Sequence, residues 1–222
     1  MRSLPLPLAL TARLSPVVVL AALGWALSSG PLAAPQAAEH KPAEEKTENR
    51  AASAPSTSTV SKAYSAAPAP CDSVAKKTIE SLVPGAKTGG KEIPSTDTKL
   101  RRTCSWNALK GYDYRWLDVS YEVMESDEAA QNAYEEHTGK KSGGGPVPGL
   151  GDSAYSVVNL TTEDKQETRE GVVLARASNA LVTITYNGSD FESKKAPGTD
   201  TINRGAIKAA KEAVAALEAD EG

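Results

Sequence analysis

The chain has 222 residues, with 28 acidic side chains against 25 basic ones and a formal net charge of −3. That balance lacks the basic footprint a nucleic-acid binder needs, and it disfavours docking on anionic lipid or anionic polymers. Two cysteines and two histidines leave little material for a metal centre, and with a single phenylalanine the core must be built from Val, Leu, Ile, Ala and Tyr.

The first segment carries Arg2 and Arg13 ahead of an uncharged run over residues 14–38. A basic start followed by an apolar run is an export signal or a membrane anchor rather than part of a fold. The apolar core, residues 14–30, suits a signal peptide, whereas the whole run approaches the ~20 residues of a spanning helix. Pro31 and Pro35 weaken its second half as a helix and leave poor cleavage contexts at Ala34 and Ala37. A secreted product and a product held by its N-terminus both remain open. No cysteine stands next to the apolar run, Cys71 being far from it, so the lipid-anchoring signal is missing.

Residues 39–70 are rich in Ala, Pro, Ser, Thr and charge, with almost no large apolar side chain. Such a tract cannot bury enough surface to offset chain entropy, which predicts a disordered spacer or tether. The folded domain is expected over residues 71–222. Its two cysteines, Cys71 and Cys104, lie in the exported part, where an even count argues for a disulfide. Closing that loop is worth ~3–4 kcal/mol in the chain-entropy model.

Along the domain, Asp72 and Ser73 suit a helix start, and Val74, Thr78, Ile79 and Leu82 give a helical stripe that Pro84-Gly85 ends. A polar loop follows to about Thr98. A strand over 99–109 places Cys104, Trp106 and Ala108 on one face and Thr103, Ser105 and Asn107 on the other. After a turn at 110–113, a strand over 114–124 alternates cleanly. Leu117, Val119, Tyr121 and Val123 share one face; Tyr114, Trp116, Asp118, Ser120 and Glu122 share the other.

Ser126 predicts an N-cap, with Asp127 and Glu128 in the first turn of a second helix that carries Ala130, Ala133, Tyr134 and His137 and stops at Gly139. Three strands are expected over 154–160, 171–177 and 180–187, the first two joined by a charged hairpin loop over 161–170 and the last two joined at Ser178-Asn179. Asn187-Gly188 reads as the start of another loop. Asp200 or Thr201 caps a final helix whose buried stripe is Ile207, Ala210, Val214 and Leu217. The expected fold class is α+β: one domain with about five antiparallel strands in the order α-β-β-α-β-β-β-α, and helices mainly on one face.

Four pieces of this layout, CDSVAKKTIESLVPG, RRTCSWNA, LDVSYEV and PGLGDSAY, are similar to an uncharacterised domain of actinobacterial cell-envelope lipoproteins, domain-of-unknown-function family 3558. The resemblance covers roughly residues 71–217. It implies a bond between Cys71 and Cys104, an envelope location and no established activity. Members are commonly lipidated; this chain departs by lacking the lipidated cysteine, so lipidation is not carried over.

Three features invite chemistry. The segment with Gly143, Gly144, Gly145, Gly149, Leu150, Gly151 and Asp152 resembles a phosphate loop in composition, but such loops need a helix after the glycines, and here a strand is expected. It is either a mobile loop or a connector whose Leu150 plugs the core. His137 lacks the nucleophile elbow that a hydrolase triad would bring, and fits a helix C-terminus. Tyr114 and Trp116 lie on the polar face of their strand, where exposed aromatics form a candidate binding surface for sugars, peptides or lipids. The expectation is an exported cell-envelope binding or interaction domain, not an enzyme, with no cofactor and no metal. Its partner would be an envelope protein or a small ligand, not nucleic acid, and membrane contact would come only through the N-terminal segment. Alternatives are an envelope hydrolase with a hidden site and an accessory subunit of an envelope complex.

Overall fold

Seven antiparallel strands form one sheet in the computed structural model, which describes residues 62–140 and 143–220. The export segment and the first part of the spacer tract lie outside the described residues. In chain order the elements are a 3-10 turn (Pro70–Asp72), α1 (Lys76–Leu82), β1 (Lys91–Ile93), β2 (Arg101–Lys110), β3 (Asp113–Val123), α2 (Asp127–Gly139), β4 (Gly145–Pro146), β5 (Ser153–Glu163), β6 (Gln166–Ala177), β7 (Ala180–Asp190) and α3 (Thr199–Ala219). Across the sheet the order is β1-β2-β3-β7-β6-β5-β4. The fold class is therefore α+β. Among the described residues, no helix is long and apolar enough to cross a membrane.

The sheet corrects the expected five strands to seven. Both additions, β1 and β4, are edge strands of three and two residues. Segments that short carry no periodic signal, and they become strands only by pairing with a long neighbour. The observed order is α-β-β-β-α-β-β-β-β-α. The hairpin expected after Leu160 is present, but its charged loop, expected over 161–170, is mostly strand. β5 runs to Glu163 and β6 starts at Gln166, joined by Asp164 and Lys165, both at positive φ (47° and 66°). Two consecutive residues in that region make the tight turn whose twist matches the strands. The charged side chains sit on exposed strand ends, which is why they look like loop in sequence.

The alternation on β2 and β3 has the faces as expected. Trp106, Leu117, Val119, Tyr121, Val182, Ile184 and Tyr186 form the covered side, each 3% exposed or less. α3 lies across it with Ile202, Ala206, Ala210, Ala213, Val214 and Leu217 buried. The hydroxyls of this core are satisfied by helix backbone: Tyr121 donates to the Ala213 carbonyl at 2.8 Å and Tyr186 to the Leu82 carbonyl at 2.8 Å. Burial raises the pKa of the Tyr121 phenol well above its ordinary value.

α1 starts at Lys76 rather than at Asp72, because Cys71 and Asp72 belong to the preceding 3-10 turn. Its N-terminus is capped from α3. Glu212 accepts from the Ala75 N–H at 2.9 Å and from the Thr78 hydroxyl at 2.7 Å. α2 departs from the helices of the covered side. Its Ser126 cap accepts from the Ala129 N–H at 3.0 Å, as the sequence suggests. The helix crosses the opposite face, with Tyr134 beside Ser153 and Arg176. Leu174 and Leu181, which point to that side, are buried there.

The expected boundary of the spacer at Pro70 also needs correction, since residues 64–70 pack on the domain. Tyr64 and Ala67 are each 6% exposed. The fully buried Asn179, in the β6–β7 turn, accepts from the Tyr64 N–H at 2.8 Å and donates to the Tyr64 carbonyl at 2.9 Å and the Met124 carbonyl at 2.7 Å. One amide thus ties the end of the tract to the β6–β7 turn and to the residue that follows β3. Tyr64 is the large apolar residue of an otherwise polar tract, which gives this end something to bury.

Candidate functional site

Cys71 and Cys104 are disulfide-bonded across 33 residues. The bond fastens the 3-10 turn ahead of α1 to the middle of β2, beside Trp106, whose indole Nε1 donates to the Thr88 carbonyl at 2.9 Å. This is structural chemistry, wholly on the covered side.

The glycine-rich segment also has a structural role. Gly145 and Pro146 pair with Ser156 and Tyr155 as β4, and the Gly144 N–H donates to the Tyr155 hydroxyl at 3.0 Å. Gly143 and Gly149 take positive φ in its turns. Val147 and Leu150 are buried in the core, so the plug reading of Leu150 describes the segment and a phosphate cradle does not. At Gly151 the backbone has φ 56°, and a Cβ would come 2.4 Å from the Arg176 carbonyl oxygen, so only glycine fits. Asp152 then pins the β6–β7 turn. Its carboxylate accepts from the Ser178 N–H at 2.7 Å and pairs with Arg176 at 3.1 Å, while Ser178 sits at φ 47°. His137 is exposed in the last turn of α2. No group of three or more His, Cys, Asp or Glu among the described residues is placed to hold a metal.

The remaining candidate is the sheet face opposite α1 and α3, hereafter the open face, of which α2 covers only one end. Tyr114 and Trp116 lie on it, half-buried rather than fully exposed. Their rings meet edge to face at 6.4 Å, and Tyr114 also lies 6.1 Å from the ring of Phe191. Phe191 extends the β3–β7 register, its N–H donating to the Tyr112 carbonyl at 2.9 Å. Leu109, Tyr112 and Phe191 are 58%, 57% and 47% exposed, which makes this end of the sheet an apolar, ring-rich edge. The Trp116 indole donates to Asp118 at 2.6 Å, which ties the ring along its own strand. Partial burial, and secondarily the Asp118 charge, raise the Tyr114 pKa.

A second feature runs across the strands. Asn107, Trp116, Asn187, Glu170 and Asn159 stand opposite one another on β2, β3, β7, β6 and β5. With strands ~4.8 Å apart, the row is roughly 19 Å long. Among the described residues, the side chains of Asn107, Asn159, Asn187 and Glu170 have no hydrogen-bond partner, in contrast to the satisfied polar groups beneath the helices. Thr103, Ser120, Thr183 and Thr185 continue the polar surface below the row. Beyond them a cleft of about 520 Å³ opens between residues 93–97 and the pair Arg101–Glu122.

Sequence reading found Tyr114, Trp116 and Asn107 on this face and missed its other half. Asn187-Gly188 looks like a turn, and Glu170 lies in a charged run. In the structure both are mid-strand. Gly188 is held in β7 by pairing with Arg115 and Arg169, and it is a glycine because a Cβ there would lie 2.5 Å from the Arg115 guanidinium and 2.9 Å from Pro197. The signal available was parity: counted in twos from Leu181, Asn187 falls on the face of Thr183 and Thr185.

No protein-family model matches this chain, and no curated protein matches it. Among solved structures, a crystal structure of a protein from Bacteroides thetaiotaomicron VPI-5482 aligns with a TM-score of 0.33 and 8% identity, covering 54% of this chain and 47% of that one. The alignment takes in less than half of that protein, and a likeness this slight carries no argument about either fold or function.

Proposed function

We propose that this chain is an extracytoplasmic binding domain of the cell envelope, exported and then released or held by its N-terminal segment, and that it works by recognition rather than catalysis. The supporting observation is the open face. It joins an aromatic edge at Tyr114 and Trp116 to a row of amide and carboxylate side chains without internal partners. Unpartnered polar groups beside half-open rings are what a recognition surface keeps ready, since a ligand then gains hydrogen bonds and apolar contact together. The address is supported by the basic, then apolar N-terminus and by a disulfide, which persists in oxidising compartments. The resemblance to family 3558 points the same way.

The test is capture from envelope extract by the full-length protein and by its Trp116→Ala variant, with bound molecules identified by mass spectrometry. Loss of capture in a variant that keeps its thermal midpoint is the expected result. Equal capture by both would remove the open face from the proposal.

A second reading, an accessory subunit that docks another envelope protein, draws on a different place. β4 pairs only with Tyr155 and Ser156, so the outer edge of β5 beyond them has no strand beside it among the described residues, and Leu160 on that stretch is 50% exposed. A bare edge of this kind accepts an added strand. Cross-linking at Leu160 and at Trp116 separates the two.

A further inference from the structure

We infer that the open face holds an extended chain of neutral or N-acetylated hexoses, laid across the strands along the row Asn107, Trp116, Asn187, Glu170 and Asn159. The inference rests on the binding-domain reading above and names its ligand class.

Spacing comes first. Polar side chains repeat across this row every ~4.8 Å, the inter-strand distance. That is comparable to the rise of an extended hexosyl chain, so successive sugars meet successive side chains. Chemistry comes second. An Asn amide offers both donors and an acceptor, and a sugar hydroxyl is itself donor and acceptor, so each can satisfy the other in pairs. Glu170 accepts from two hydroxyls. Trp116, in the second position of the row, supplies an apolar ring for the C–H face of one sugar, and Tyr114 with Phe191 widens that surface on one side.

Charge excludes the neighbouring ligand classes. Asp118 and Glu170 are acidic, and Arg101 is already paired with Glu122. Uronic-acid chains, phosphate-bearing polymers and anionic lipid would all meet like charge. A peptide bound as a strand needs a sheet edge for its backbone, and the middle of a sheet face offers none. Uncharged, hydroxyl-rich chains with apolar ring faces fit what remains.

The experiment is calorimetric titration of the purified full-length protein with β-linked oligomers of N-acetylglucosamine and of glucose, from dimer to hexamer, and with oligogalacturonate as the anionic comparison. At least one neutral series is expected to bind, more tightly with each added sugar until the chain spans the row, while oligogalacturonate does not. Trp116→Ala is expected to weaken binding roughly tenfold and Asn187→Ala a few-fold, the sizes of one ring contact and one hydrogen bond. Asn107→Ala, at an exposed position on β2, keeps the test decisive should Trp116→Ala fail to fold. Absence of binding by both neutral series, tighter binding of the anionic chain, affinity independent of length, or affinity indifferent to the row would each overturn the inference. If the oligosaccharides fail while capture of envelope material still depends on Trp116, the ligand class falls and the binding face stands. If neither depends on Trp116, both readings fall.

Discussion

The two faces of the sheet are made by the same strands and differ in nearly everything else. On β3, Leu117, Val119 and Tyr121 are completely buried under helices, whereas Trp116, Asp118 and Ser120, one residue out of phase, are half-open. On the covered side every tyrosine hydroxyl described above ends on a helix carbonyl. On the open side Asn107, Asn159, Asn187 and Glu170 end on nothing among the described residues. Polar groups are expensive to bury unpaired and cheap to leave wet, so the covered face must be internally satisfied and the open face is free not to be. Unpaired side chains in a regular row are therefore no flaw in the fold, and they are the groups the proposed ligand would meet.

That contrast breaks in definable ways. The largest effect belongs to the covered side's covalent tie. Cys71→Ala under oxidising conditions is expected to cost about 3–4 kcal/mol in urea unfolding, and the difference from wild type should vanish once both are measured with reductant. Next comes packing. Val119→Ala is expected to cost about 1–3 kcal/mol, because a fully buried branched side chain leaves a cavity under α3. A silent Val119→Ala would mean that this face is not the core.

Tyr121→Phe sharpens the comparison by removing one hydroxyl. It leaves the Ala213 carbonyl without its donor and is expected to cost about 1–2 kcal/mol at neutral pH. The pH dependence has a definite sign. Burial raises the folded-state pKa of Tyr121, so the stability held by its protonated form is fully present below the unfolded value near pH ~10 and is lost as pH rises beyond it. Wild type should therefore lose stability above pH ~10 faster than Tyr121→Phe, narrowing the gap between them. A constant gap across that range would place the phenol in solvent. The smallest stability effect is expected on the open face: Trp116→Ala should cost no more than about 1 kcal/mol, the loss of an edge-to-face contact and one surface hydrogen bond. Unfolding by this change, with Val119→Ala silent, would invert the two faces.

The sequence by itself determined the α+β class, the faces of β2 and β3, the Ser126 cap and the pairing of its two cysteines, because each rests on local spacing or simple count. Period-two alternation over Leu117, Val119, Tyr121 and Val123 needs no knowledge of what lies above the sheet. Tertiary structure alone decided the rest. It made strands of Lys91–Ile93 and Gly145–Pro146, which have no periodicity of their own and exist only by pairing. It carried β7 through Asn187-Gly188, where a turn-like dipeptide is held extended by neighbours and its glycine leaves room for Arg115 and Pro197. It drew Tyr64 onto Asn179, more than a hundred positions away, and set α2 on the opposite face from α3. The row from Asn107 to Asn159 belongs to this second group. Its members come from five strands, and only their register across the sheet, a property no single segment encodes, brings them into line.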